Sequence, residues 1–260
     1  MNDCFVLKGN ICQTLHPKEL DLHENAYAVC VDGVSKGVFD TLPEEYTSLP
    51  LYDYGDTLIF PGMVDLHVHA PQYAFRGMCM DLELMDWLNR YTFPEEEKYE
   101  DPEYAEKAYG MFVDALKSGA TTRSCIFATR HRPATELLMQ LLEESGLGSD
   151  IAGGHSDSIF RAITDAIQVS KMYFRMVDES VRPLVFPEAF YLATMGGGAF
   201  FGKVGCFEEG YAFDAVVLDD SVLPHPQSLT LVQRMERAVY LGLDEKNITA
   251  KFIAGKKIIL

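Results

Sequence analysis

The stretch Phe60-Pro61-Gly62-Met63-Val64-Asp65-Leu66-His67-Val68-His69-Ala70-Pro71-Gln72 decides how the rest of the chain is read. Leu58, Ile59 and Phe60 lead into it, and the composition predicts a buried strand. Alternate side chains of a strand share a face. His67 and His69 therefore project together, with Asp65 on their side. Two converging imidazoles suit a divalent ion, and neutral imidazole is a ligand for zinc, iron or nickel. A pair of hydrogen-bonded core histidines is the plainer alternative.

Composition narrows the setting. The 260 residues are 48% hydrophobic and 23% charged, which predicts a soluble globular protein with a full core. A formal net charge of −17 repels nucleic acid and anionic membranes, so neither is an expected partner. The six cysteines are scattered, with no Cys-x-x-Cys pair, which argues against a thiolate metal site. No basic segment followed by an apolar run suggests a signal peptide, and no apolar stretch approaches a membrane span. Reduced thiols in the cytoplasm are the expectation.

Outward from the opening stretch, the chain reads as three parts. Residues 1–56 are short strands, with Asp32-Gly33 as a hairpin turn between Tyr27–Val31 and Val34–Phe39. Residues 57–200 alternate strand and helix, the α/β pattern. Asp101 caps a helix with Pro102 at its first position, and Gly119 ends it. A β-rich run, 120–127, follows. A second helix begins at Pro133, buries Leu138 and Leu142, and stops at Gly146. A third is predicted to start at Ser156 or Asp157, next to His155. Gly196-Gly197-Gly198 reads as a helix end and turn. Residues 201–260 return to strands, closing with a hairpin at Gly255. The segment Gly148-Ser149-Asp150 reads locally as a turn or helix cap. Trp87 reads as core.

Pro-Gly-x-x-Asp-x-His-x-His, as it stands at 61–69, resembles the first-strand signature of the amidohydrolase superfamily. His69-Ala70-Pro71-Gln72-Tyr73 and Asp86-Trp87-Leu88-Asn89 are similar to the guanine deaminases within it. The run 146–154 resembles the loop that closes the family's eighth strand. The resemblance implies a (β/α)8 TIM-type barrel, joined to a small β-sandwich module built from the N- and C-terminal segments. It implies zinc, or else iron, held by His67, His69 and Asp150. Asp150 would also take and return the proton as a metal-activated water displaces the 2-amino group of guanine. Gln72, whose amide both donates and accepts, would meet the purine edge. Family members are commonly homodimers.

Length sets a limit on this expectation. A complete barrel takes about 250 residues and each β-plus-α unit about 30, so the span 59–182 holds roughly four units. Units one, two and eight have counterparts here; units three to seven have none. The middle strands would carry two further histidines, a proton-shuttling glutamate and an arginine for the purine. Either the parent protein has a middle that this sequence lacks, or an internal deletion has left a non-catalytic remnant. Another amidohydrolase, acting on a different amino-heterocycle or amide, is the alternative within the enzyme class.

Overall fold

The computed structural model describes residues 3–150, 182–242 and 245–258, together with Ile167 and Lys171. The helix expected from Ser156 or Asp157, and His155 beside it, lie outside the described residues. The chain begins with β1 (Phe5–His16), β2 (Glu19–Val31), β3 (Val34–Phe39) and β4 (Leu51–Pro61). Then come β5 (Met63–His69), helix α1 (Pro102–Ser118), β6 (Thr121–Phe127), α2 (Arg132–Ser145) and β7 (Gly148–Asp150). It closes with α3 (Phe186–Tyr191), β8 (Ala215–Leu218), α4 (Leu231–Tyr240), β9 (Ile248–Ile253) and β10 (Lys256–Ile258).

Two sheets carry these strands. The larger has seven, in the order β10-β9-β8-β4-β1-β2-β3, so both terminal segments share one sheet. Its strands alternate between two cores, as the period of two requires. Leu58, Phe60, Val216 and Leu218 face α3 and α4 on one side. Ile59, Ala215 and Val217 join Phe5, Phe213 and Phe252 on the other. Asp32 and Gly33 take left-handed backbone angles (φ 52° and 79°), which the tight turn between β2 and β3 needs. That turn meets the β9–β10 turn from the opposite end of the sheet. Phe213 lies between them: its N–H donates to Gly33 O (2.9 Å), and its carbonyl accepts from Gly255 N–H (2.9 Å).

The smaller sheet is parallel, in the order β5-β6-β7. Helices α1 and α2 make its crossovers, so the strand–helix alternation read from the sequence is present. Asp101 caps α1 by accepting from Glu103 N–H at 3.0 Å, and Gly146 ends α2 with φ 75°. Val68 and Ile126 turn toward these helices and pack with Tyr109, Phe112, Leu138 and Leu142. Among the described residues this layer has three parallel strands.

Gly196-Gly197-Gly198 does not turn the chain as expected. A π-helical run spans Leu192–Gly196, and helical geometry continues through Gly198. The glycines serve close approach instead. A Cβ at Gly198 would lie 2.2 Å from Val204 O, and one at Gly197 3.3 Å from Val64 Cβ. No described helix is long and apolar enough to cross a membrane.

Candidate metal centre

The two histidines lie where the pattern put them, on one face of β5. Their ring centres are 6.2 Å apart. A tetrahedral ion bonded to both at about 2.1 Å would bring the centres to about 5 Å, a small side-chain adjustment. The donors are two imidazoles, a ligand type that fits zinc or iron. Among the described residues no group of three or more ligand-type side chains converges, so the pair is an incomplete set there.

The strand is less buried than its composition predicts. Leu66 and His67 are exposed, and Asp65 and His69 are half-buried. β5 is an edge strand of its sheet among the described residues, and its pairing with β6 slips between Asp65 and Val68. The slip has a local cause in sequence: Asp65 Oδ1 accepts the backbone N–H of His67 at 3.0 Å, a turn-like bond within the strand. Burial pushes the Asp65 carboxyl above its ordinary range, and that N–H partly opposes the rise.

Asp150 ends β7 and pairs in register with Cys125 of β6. Phe127, two residues on from Cys125, pairs with His69. Position 150 is thus two strand spacings from β5, or about 9–10 Å. β7 lies beside β6 rather than beside β5. Gln72 follows β5 in a single-turn 3-10 segment, Ala70–Phe75, and is 4% exposed. Its Nε2 donates to Glu96 Oε1 at 3.3 Å. Its Oε1 is buried with no hydrogen-bond partner among the described residues, so an acceptor is held ready there. Trp87 is core: its Nε1–H donates to Met78 O (3.1 Å), and its ring packs on Phe75.

One residue here was not singled out by the sequence. Phe127 ends β6 and is 42% exposed. Its ring stacks on His69 (centres 4.7 Å apart, planes at 19°) and meets His67 edge-on (5.6 Å, 75°). The available signal was its alternation with Ile126, which faces the helices.

Residues 58–147, which contain this strand, match the model of the amidohydrolase family. Individual proteins are similar as well. A guanine deaminase from Dictyostelium discoideum is 36% identical over 140 residues, 52% of this chain and 31% of that protein. A 5-methylthioadenosine/S-adenosylhomocysteine deaminase from Thermodesulfovibrio yellowstonii is 27% identical over 204 residues, 75% of this chain and 45% of that protein. The chain thus spans a third to a half of the length of these curated relatives. The crystal structure of a guanine deaminase from C. acetobutylicum, with guanine bound in its active site, superposes with a TM-score of 0.92. Its identity is 26%, and the match covers 98% of this chain and 100% of that one.

Proposed function

We propose that this chain is a segment of a guanine deaminase, and that its site converts guanine and water to xanthine and ammonia. The observation that carries the reading is the His67–His69 pair at the end of a parallel strand, inside the segment that matches the amidohydrolase family, in a chain similar to guanine deaminases. Barrel enzymes build their sites at that end of their strands. His67 and His69 would hold zinc, with iron as the other candidate, and Asp150 would be a further ligand. When bound, zinc supplies a nucleophilic water near neutral pH. Asp150 accepts the proton released as water adds to the ring carbon bearing the amine, then returns it so that the amine departs as ammonia. Gln72 Oε1, buried and unpartnered, accepts from a purine N–H.

The same reading treats β5, β6 and β7 as units of a (β/α)8 barrel whose middle strands are not in this sequence. It treats residues 1–56 and 201–260 as the halves of a β-sandwich around a 57–200 hydrolase part. The parent would be a cytoplasmic homodimer acting on a small purine.

Two other readings have support. The methylthioadenosine deaminase aligns with more of this chain, which favours an amino-purine other than guanine. The donor set, which stops at two among the described residues, favours a non-catalytic remnant. Incubating the purified chain with zinc and guanine, and in parallel with 5-methylthioadenosine, separates them. Xanthine formation supports the first reading, turnover of methylthioadenosine alone supports the second, and no turnover of either supports the third.

A further inference from the structure

We propose that Phe127 is a positioning residue for the metal centre, its ring fixing the imidazoles of His67 and His69. This rests on reading β5 as a metal strand. Among the described residues the two histidines stand on an edge strand, and its pairing slips at Asp65–Val68. Among the described residues no hydrogen bond reaches a ring nitrogen of His67. Phe127 constrains both rings by surface contact. The near-parallel stack on His69 fixes one ring plane, and the edge-on contact with His67 fixes the other. The near-parallel stack leaves the in-plane nitrogens of His69 clear of the phenyl face, which is what a ligand requires. Ile126 and Val68 are locked in the helix-packed core on the opposite face. The direction of Phe127 is therefore set by alternation along β6, and not by the solvent that reaches it.

A ring that aligns ligands should act on metal affinity. Loss of a group that orients metal ligands lowers affinity by about 10- to 100-fold. The test is zinc binding to the full chain, by competition with a chromogenic chelator, for wild type, Phe127→Leu and Phe127→Tyr. Phe127→Leu keeps bulk and apolarity but has no flat face. The expected result is weakening by about tenfold or more in Phe127→Leu with its melting temperature held, and wild-type affinity in Phe127→Tyr. Equal zinc affinity in wild type and Phe127→Leu would overturn the proposal and leave the metal centre standing. If wild type takes up no zinc, the reading of β5 as a metal strand fails instead. Should Phe127→Leu not fold, proton NMR of the wild-type chain decides. An upfield ring-current shift of the His69 imidazole protons supports the stack, and ordinary shifts refute it.

Discussion

Arg123 of β6 holds Asp214 by two parallel hydrogen bonds, Nε–H to Oδ2 at 2.7 Å and Nη2–H to Oδ1 at 2.9 Å. The pair joins the small parallel sheet to the large one, because Asp214 immediately precedes β8 and its Oδ1 also accepts the Ala254 N–H (2.7 Å). The Asp214 side chain is fully buried and that of Arg123 largely so. Replacing Asp214 with Ala strands a guanidinium and a backbone N–H together. The expected loss is about 3–5 kcal/mol in urea unfolding, as for other broken buried pairs. A loss below about 1 kcal/mol would show that the two sheets do not depend on this contact.

Lys251 of β9 makes a second tie. Its ammonium is fully buried and donates to three carbonyls: Leu116 O at 2.6 Å, Gly119 O at 2.9 Å and Thr121 O. It thereby caps the end of α1 and the start of β6 with one side chain. Burial pushes this lysine down to about 7 from its ordinary 10.5, and Asp214 partly opposes the fall. Below pH 7 both folded and unfolded chains carry the charge, so the cost of burying it is undiminished. Between about pH 7 and 10.5 the folded chain gives up the proton first, and stability rises with pH. Lys251→Met should flatten that slope and lower stability at neutral pH, since three carbonyls lose their donor. Denaturation midpoints measured from pH 6 to 10 check both statements; a slope unchanged in Lys251→Met would refute them.

Gln72 offers a separation of binding from folding. Gln72→Leu removes one bond, to Glu96, and one unpartnered acceptor at once. The two effects offset, and stability should change by no more than about 1 kcal/mol. If Gln72 meets the purine, guanine affinity should fall at least tenfold, as measured by calorimetry on the zinc-loaded chain. Unchanged affinity would remove Gln72 from the site.

Metal should also register in stability. Zinc at 100 times its dissociation constant should raise unfolding free energy by about 2.7 kcal/mol. A chelator should reverse the gain, and His67→Ala should show none. An equal zinc effect in His67→Ala would place the metal elsewhere.

Much of this arrangement was legible in the residues. Asp32-Gly33, the Asp101-Pro102 cap and Gly146 specify local geometry that few other residues accept, and each stands where the sequence predicted. The pairing of His67 with His69 followed from the period of a strand. What escaped were relations between distant segments. Nothing local in Thr249-Ala250-Lys251-Phe252 marks Lys251 for burial, and the end of α1 packed against it explains that burial. The slip in β5 arises from a side chain bonding two residues ahead, which alternation does not register. The partner of β7 was illegible because motif order along the chain does not say which strands are neighbours.

The large sheet leaves and resumes at a single step. Pro61 of β4 and Ala215 of β8 are register partners, and Gly62 N–H donates to Asp214 O at 3.0 Å. Residues 62–214, which hold the candidate centre, are therefore topologically one loop closed by neighbouring strands. The entropy of closing a loop grows only with the logarithm of its length, about 0.6 kcal/mol for each doubling. A doubled interior would thus cost the sheet less than one good hydrogen bond. This architecture lets the interior vary in length while the frame that anchors it stays the same.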